Sequence, residues 1–194
     1  MAQVKINLSK IKYNAQVLSS IFNQNHIRFT PVIKCVGGDN RIVETLKEIG
    51  LTHFADARIE NITKSKKHKI LLMVDWKDGR EGILTYDIID YINEILYMHH
   101  VLIVGLAFNF MCFQSVIPTE EDVALINQFV DSVERETNMK FSIISGGNSS
   151  MIPQMLYRDF GRINELRIGE TLFRGVETTT NQSIASLYQN AITL

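Results

Sequence analysis

Short apolar runs alternate with helix-forming segments along most of this chain, and this alternation constrains the fold more than any other feature of the sequence. The apolar runs have the length of buried strands and are centred on Ile33, Phe54, Leu72, Val104, Ile143 and Leu166. Strands that are apolar on both faces and separated by amphipathic helices predict a parallel sheet that helices cover on both sides. Strands in this number could form an open doubly wound sheet or most of a closed barrel.

The helix-forming segments carry apolar residues at the spacing of a single helix face. The predicted helices cover residues 9–22, 40–50, 85–98 and 119–137, and the predicted strands cover 29–34, 52–57, 70–74, 101–109, 141–145 and 165–169. Ser9 is the predicted N-cap of the first helix. Thr119 is predicted to cap the last one, because acidic residues that complement the helix dipole follow it directly.

Composition narrows the class of protein. The 194 residues are 45 % hydrophobic, which suits one domain, and 20 Lys and Arg nearly balance 21 Asp and Glu. This balance argues against a nucleic-acid or membrane-surface partner. The apolar stretch 101–113 is too short to span a bilayer, and the N-terminus shows no secretion signal. With only Cys35 and Cys112 as thiols, the sequence predicts a cytoplasmic protein. Cys112 follows a strand end and could face the site, but a buried core thiol is the favoured interpretation.

Ligands bind at the carboxyl ends of strands in parallel α/β folds, so the residues directly after each apolar run are the candidates for a site. They are Lys34, Asp56 with Arg58, Asp75 with Arg80, Asn109, residues 145–150, and Arg167 with Gly169. The five histidines show no metal-ligand spacing, so no metal site is predicted. The chain also lacks the Gly-x-Ser-x-Gly motif of a nucleophile elbow, which argues against a serine hydrolase.

Lys34 closes the first long apolar run and is followed by Cys-Val-Gly-Gly-Asp. A lysine that forms a Schiff base must be neutral to attack, although the ordinary pKa of its amine is about 10.4. Apolar surroundings and neighbouring cations lower that pKa, and a strand end in a barrel mouth could supply both. Taken alone, a lysine at this position is more often an ordinary surface residue.

The segment Ser145-Gly-Gly-Asn-Ser-Ser150 has the character of a phosphate cradle. Consecutive glycines let backbone N–H groups turn toward one point, and Ser and Asn side chains add further donors. Leu166-Arg-Ile-Gly169 ends the next apolar run and could present another N–H there. In barrels, the loops after the last two strands commonly form a phosphate site.

A lysine at the first strand end and a phosphate cradle at the last two resemble the alanine-racemase-like barrel, and in particular the ornithine and related amino-acid racemases. The segments that carry the resemblance occur in family order along nearly the whole chain. They are Pro31-Val-Ile-Lys-Cys-Val-Gly-Gly-Asp, Ala55-Asp-Ala-Arg-Ile-Glu-Asn-Ile, Leu72-Met-Val-Asp with Asp78-Gly-Arg-Glu-Gly-Ile, Asn109-Phe-Met-Cys-Phe with Pro118-Thr-Glu-Glu, Ile144-Ser-Gly-Gly-Asn-Ser-Ser, and Leu166-Arg-Ile-Gly-Glu.

This resemblance implies an α/β fold of the (β/α)8 TIM-barrel type and an isomerase that uses pyridoxal 5'-phosphate. Lys34 would hold the cofactor as an internal aldimine and act as one of the two racemisation bases. Ser149, with the backbone of Gly169 and Glu170, would bind the phosphate. The implied substrate is ornithine, lysine or a related amino acid, and the implied assembly is a homodimer.

Further cofactor contacts follow from the same resemblance. Arg167 would hydrogen-bond the pyridine nitrogen and keep it unprotonated, which disfavours side reactions such as transamination. Arg80 would lie near the phenolic oxygen of the cofactor or the substrate carboxylate, and Asn148 near Ser149. Asn109 stands where alanine racemases often carry histidine, which favours a substrate larger than alanine.

The chain departs from the family pattern at two places. The basic stretch Thr63 to Lys69 stands where the family has two further strand–helix units, so residues 1–194 are expected to be one incomplete barrel domain. The C-terminal β-domain, which supplies a tyrosine as the second base across the dimer interface, is expected to be absent. Tyr188 is a poor substitute and is expected to begin a linker or strand. A non-catalytic pyridoxal-phosphate carrier and an inactive fragment are the alternative interpretations.

Overall fold

The computed structural model describes residues 4–55, 68–99 and 101–193 and shows an α/β chain. The strands are β1 (Lys5–Ile6), β2 (Arg28–Pro31), β3 (His68–Asp75), β4 (Ile83–Leu84), β5 (Val101–Phe108), β6 (Ile143–Ser145), β7 (Glu165–Ile168) and β8 (Ile192–Thr193). The helices are α1 (Leu8–Gln24), α2 (Asn40–Lys47), α3 (Ile88–Leu96), α4 (Glu120–Thr137), α5 (Ile152–Tyr157) and α6 (Glu170–Arg174). The chain divides into a first unit of residues 1–63 and 166–194 and a second unit of residues 64–165.

The first unit contains α1, whose buried face follows the helical period. Ile11, Ala15, Leu18 and Phe22 are at most 1 % exposed. The predicted cap, Ser9, lies two residues too late, because the Asn7 side chain accepts the Lys10 N–H at 3.0 Å and is the N-cap. A side chain that accepts this N–H fixes where the helix begins, and apolar periodicity alone does not reveal it.

The strands of the first unit are shorter than predicted. β2 ends at Pro31, and the chain then turns through a 3-10 helix at Lys34–Val36. β2 and β7 are neighbours, and β1 pairs antiparallel with β8. Of the strand predicted at 52–57, the described part forms only an isolated bridge between Val32 and Ala55.

The Tyr188 region is anchored to α1 rather than starting a strand. The Asn14 side chain donates to the Tyr188 carbonyl at 2.8 Å and accepts its N–H at 2.7 Å. The Tyr188 ring also lies against Tyr13, with the two centroids 4.8 Å apart. Strand β8 begins only at Ile192.

The second unit is built on parallel strands in the order β6-β5-β3-β4. The register pairs Val74 with Phe108 and Ala107 with Ser145, so the carboxyl ends of β3, β5 and β6 lie in line. Glu165, the first residue of β7, pairs with Ser145. The predicted continuous apolar runs are therefore confirmed as parallel strands in this unit.

Helix α4 packs on this sheet and begins as the sequence predicts. Thr119 and Asp122 form a reciprocal capping box. The buried Asp122 carboxylate also accepts from the Trp76 indole N–H at 3.3 Å and from Lys77 Nζ at 2.7 Å. One carboxylate thus joins the N-terminus of α4 to the segment that follows β3.

Sequence periodicity missed the shortest elements and overestimated two helices, one of which, predicted at 40–50, covers only Asn40–Lys47. The missed elements are β1, β4, α5, α6 and β8, each no more than six residues long. The apolar pattern of a helix or a strand repeats too few times over such lengths to be recognised. The helix predicted at 85–98 covers only Ile88–Leu96.

Over the described ranges, no helix has the length and apolar character needed to cross a membrane. Asp56, Arg58 and most of the basic stretch Thr63 to Lys69 lie outside the described residues, which resume with His68 at the start of β3.

Candidate functional site

In the first unit, Lys34 begins the 3-10 turn that follows β2, and its side chain is exposed. Backbone hydrogen bonds close this turn. The Val36 N–H donates to the Ile33 carbonyl at 3.2 Å, and the Gly37 N–H donates to the Lys34 carbonyl at 3.2 Å. The lysine therefore stands on a rigid local frame that does not depend on side-chain contacts.

The end of β7 lies beside this turn. The Val32 N–H donates to the Ile168 carbonyl at 2.9 Å, and Gly169 packs against Val32. A Cβ atom at Gly169 would lie 3.1 Å from the Val32 Cβ, so glycine permits this close approach. Within the first unit, the structure thus brings Lys34 and Gly169 to neighbouring strand ends.

Arg167 and Glu170 flank that glycine. Arg167 is half-buried on β7 and makes polar interactions. Side chains alternate between the two faces of a strand, so Arg167 shares a face with Glu165, while Leu166 and Ile168 are buried on the other. The exposed Glu170 side chain pairs with Arg174, one helical turn along α6.

In the second unit, the buried Asp78 carboxylate organises the strand ends. Its Oδ1 atom accepts the backbone N–H groups of Cys112, Phe113 and Gln114 at 3.1, 3.0 and 3.3 Å. Asp78 is only 3 % exposed, and its Oδ2 atom is buried with no hydrogen-bond partner. The carboxylate thereby ties the loop after β3 to the loop after β5.

Cys112 is exposed on that second loop, so the prediction of a buried core thiol was wrong. Three N–H bonds to Asp78 hold the loop with the Cys112 side chain at the surface, beside Arg80 and Asn148. The Asn148 amide lies 3.5 Å from Cys112 Sγ. The pKa of the Arg80 guanidinium is raised above its ordinary value. The main cause is a hydrogen bond with Cys112, and the second is the negative charge of Glu81.

Asn109 contacts a residue that the sequence did not single out. Its Nδ2 atom donates to Glu81 Oε1 at 2.9 Å. The sequence could have pointed to Glu81, because this residue directly follows Arg80 in the Asp-Gly-Arg-Glu-Gly segment. Asp75, which the sequence grouped with Arg80, instead accepts the Gly79 N–H at 2.9 Å.

The glycine-rich segment after β6 is held by Asn148. Its Oδ1 atom accepts from the Ser150 N–H at 3.0 Å and from the Ser150 hydroxyl at 2.8 Å, and its Nδ2 atom donates to the Phe110 carbonyl at 2.7 Å. Ser149 is buried and makes polar interactions of its own. Gly147 has a φ of 147°, and a Cβ there would lie 2.6 Å from Met151 Cγ, so glycine is required.

The predicted site residues thus form two groups. The first unit holds Lys34, Arg167, Gly169 and Glu170, and the second holds Arg80, Asn109, Asn148 and Ser149. Within each unit the members lie at the ends of neighbouring strands, as expected for a parallel α/β fold.

A cavity of about 530 Å³ in the second unit lies apart from these residues. Its lining comes from the segment after β3 and from α4: Asp75, Trp76, Lys77, Thr85, Leu125, Gln128, Phe129 and Ser132. Asp75, one of the strand-end candidates, is part of this lining, but none of the predicted cofactor-binding residues is. The Trp76 and Phe129 rings, with centroids 5.7 Å apart, contribute to its lining together with polar side chains.

The family model for the N-terminal domain of alanine racemase matches residues 58–176, which is more than half of the chain. The chain belongs to this alanine racemase family. The match contains every predicted site residue except Lys34, which precedes it. The family predicted from the sequence is confirmed.

Two curated relatives of this alanine racemase-type chain have names that specify a reaction. It is 24 % identical over 244 residues to ornithine racemase of Acetoanaerobium sticklandii, covering 99 % of this chain and 68 % of the relative. It is 26 % identical over 238 residues to lysine racemase of Thermotoga maritima, covering 95 % and 66 %. Both alignments are longer than the chain's 194 residues, so these relatives contain residues with no counterpart here.

Solved alanine racemases share the fold. The structure from Corynebacterium glutamicum aligns with a TM-score of 0.73 at 14 % identity and covers 98 % of this chain and 67 % of its own. That from Bartonella henselae, with covalently bound pyridoxal phosphate, aligns with a TM-score of 0.68 at 15 % identity and covers 97 % and 67 %. The predicted alanine-racemase-type α/β fold is confirmed, and the chain spans about two thirds of the length of these proteins.

Proposed function

We propose that this chain is the pyridoxal-phosphate-binding domain of an amino-acid racemase that acts on ornithine, lysine or a related amino acid. The observation that carries the proposal is the pair of strand ends in the first unit. They combine an exposed Lys34 on a rigid turn with Arg167 and a close-packed Gly169 on the neighbouring strand. A Schiff-base lysine needs this combination of access and fixed position.

The side chains of the predicted cofactor site match the chemistry of the cofactor. Pyridoxal phosphate carries a phosphate dianion, a phenolate and an aldehyde. Lys34 is a primary amine that can condense with the aldehyde, and Arg80 and Arg167 are cations that can neutralise anionic oxygen or donate to nitrogen. Ser149 carries a neutral hydroxyl in the glycine-rich segment that Asn148 holds through its bonds to Phe110 and Ser150. The donor set therefore fits the group.

When bound, the cofactor supplies an electron sink that makes the substrate Cα–H acidic. In the proposed reaction Lys34 holds the cofactor and moves a proton to or from the substrate Cα on one face. Arg167 donates to the pyridine nitrogen and keeps it unprotonated, which moderates the sink. Arg80 orients the phenolic oxygen or the substrate carboxylate, with Asn109 nearby.

A further set of residues is proposed to bind the phosphate group of the cofactor. Ser149 and the backbone N–H groups of Gly169 and Glu170 bind the phosphate, and Asn148 holds the Ser149 segment in shape through its bonds to Ser150. The proposal includes a homodimer in the cytoplasm. The choice of substrate rests on the names of the two curated relatives and on Asn109 in place of histidine.

The first test separates cofactor attachment from general binding. Borohydride reduction of the protein with pyridoxal phosphate should label Lys34, and Lys34→Ala should lose the label while the control Lys47→Ala, an exposed lysine on α2, retains it. Mass spectrometry of the labelled peptide provides the measurement. A label that persists in Lys34→Ala would exclude Lys34 as the residue that attaches the cofactor.

The second test separates the racemase from the carrier. Exchange of the Cα hydrogen of L-ornithine in D2O needs one base, whereas loss of optical rotation needs a proton delivered to the opposite face. Exchange with decaying rotation supports the racemase. Cofactor attachment with neither change for ornithine or lysine would favour the non-catalytic carrier.

A further inference from the structure

Glu81 is a carboxylate fixed among the strand-end residues of the second unit. It directly follows Arg80, and its Oε1 atom accepts from Asn109 Nδ2 at 2.9 Å. Asn109 follows the end of β5, and the register of β3 with β5 pairs Val74 with Phe108, so Glu81 is held at the aligned end of two parallel strands. Its side chain is exposed, and therefore accessible to a ligand.

The partners of Glu81 leave its negative charge in place. Asn109 is a neutral amide, which orients the carboxylate without cancelling its charge. Arg80 is the nearby cation, but its pKa is raised most by a hydrogen bond with Cys112, whereas Glu81 raises it through its charge. The neighbouring Asp78 adds a second carboxylate, which is committed to the backbone of residues 112–114. Among the residues that the structure describes in this cluster, two carboxylates therefore stand beside one cation.

We infer that Glu81 is a specificity-determining residue that selects amino acids whose side chains end in a cationic amine. This inference rests on the proposed function, because it assigns a substrate class to the same site. An ammonium group forms a charge-assisted hydrogen bond with a pre-oriented carboxylate. A neutral alkyl side chain would cover the carboxylate without compensating its lost hydration. The same residue thus favours a basic substrate and disfavours an apolar one.

Glu81 could instead act only by positioning Arg80. The two roles differ in which ligands they affect. A residue that positions Arg80 affects every amino acid equally, because all share the α-carboxylate. A residue that binds the distal amine affects only substrates that carry that amine.

The test compares L-ornithine with L-norvaline, which has the same carbon chain without the terminal amino group. Dissociation constants are measured by absorbance titration of the purified protein loaded with pyridoxal phosphate. Glu81→Gln retains an acceptor for Asn109 and removes the charge. Glu94→Gln, an exposed glutamate on α3, is the matched control for a general change in net charge.

Glu81→Gln should weaken ornithine binding about tenfold while norvaline binding stays the same or becomes tighter, and Glu94→Gln should change neither. The preference of the wild-type protein for ornithine should also shrink at high salt. Equal weakening of both ligands, or no change in either, overturns the inference. If the wild-type protein fails to attach the cofactor at Lys34, the proposed function fails, and the inference fails with it.

Discussion

The two units of the chain differ in the polar groups that they bury. The first unit buries neutral side chains, namely Asn14, Thr30, Thr45 and Thr171. The second buries carboxylates, namely Asp78, Asp122, Glu134 and Glu165, together with the serines of the segment after β6. Among the described residues, Asn14 in the first unit and Asp78 and Glu134 in the second bond groups that are distant in sequence, and in the second unit these groups are carboxylates, which titrate in acid.

This difference matters because a carboxylate and a neutral side chain can accept different numbers of hydrogen bonds. An ionised carboxylate accepts several hydrogen bonds at once and binds each more strongly than a neutral acceptor does. Asp78 accepts three backbone N–H groups, and Glu134 accepts from Arg162, Lys140 and the Phe141 N–H. The second unit can therefore hold long loops at its strand ends, and its stability should depend on pH. Trp76, the one tryptophan of the chain, lies in this unit and reports on it by fluorescence.

The largest effect is expected at Asp78. Asp78→Ala leaves three backbone N–H groups without their acceptor and should lower the free energy of unfolding by about 3 kcal/mol. Urea unfolding followed by Trp76 fluorescence measures this change. Asp75→Ala is the matched control, because that carboxylate accepts a single backbone N–H in the same loop. An equal loss in both variants would show that the loop does not depend on the buried carboxylate.

A neutral counterpart in the first unit is Asn14, which is completely buried. Its side chain bonds the Leu172 carbonyl and both backbone groups of Tyr188. Asn14→Ala should lower the free energy of unfolding by about 2.5 kcal/mol. The loss should be the same at pH 7 and pH 4, because no titrating group is removed. Urea unfolding followed by far-UV circular dichroism tests this, with the exposed Asn23→Ala as control. A cost that changes with pH would remove the contrast between the units.

Glu134 tests the acid dependence directly. Hydrogen bonds from Arg162 lower the pKa of the Glu134 carboxyl from 4.5 to about 2, against the opposing effect of burial. Its contribution to stability is present in full above pH 4.5, declines below that value and is lost as the pH falls through 2. Glu134→Gln should therefore cost about 2 kcal/mol at pH 7 and much less near pH 2.

The measurement for Glu134 is urea unfolding at a series of pH values, again with Trp76 fluorescence. Glu136→Gln changes the same residue type at an exposed position of α4 and should show no such dependence. A loss at Glu134 that stays constant from pH 7 to pH 2 would mean that its ionised form is not what stabilises the second unit.

The smallest effect is expected at Lys34. Its turn is closed by backbone hydrogen bonds and its side chain is exposed, so Lys34→Ala should change the free energy of unfolding by less than about 0.5 kcal/mol without cofactor. Thermal unfolding of the cofactor-free protein measures it. A substantial loss would mean that Lys34 has a structural role, and would weaken its assignment as the Schiff-base residue.

Much of the framework could be predicted from the sequence because it follows from local patterns. The apolar runs of β3 and β5 are long enough to identify buried parallel strands, and the Thr119 capping box marks the start of α4 to the residue. Strand-end positions follow from these, since parallel strands present their carboxyl ends together. Lys34 and Gly169 were thereby assigned to strand ends, whereas the adjacency of their two strands came from the structure.

The remaining features depend on contacts between distant parts of the chain. Nothing local to Cys112 indicates that its loop bonds to Asp78, 34 positions away, and this contact is what exposes the thiol. Nothing local to Glu81 indicates that Asn109, 28 positions away, holds its carboxylate. The amino-acid sequence by itself determined the family, the class of fold and the strand ends, because these depend on periodicity and motifs. Only the tertiary structure decided which side chains meet there, because strand register and loop closure bring together residues that have no relation along the chain.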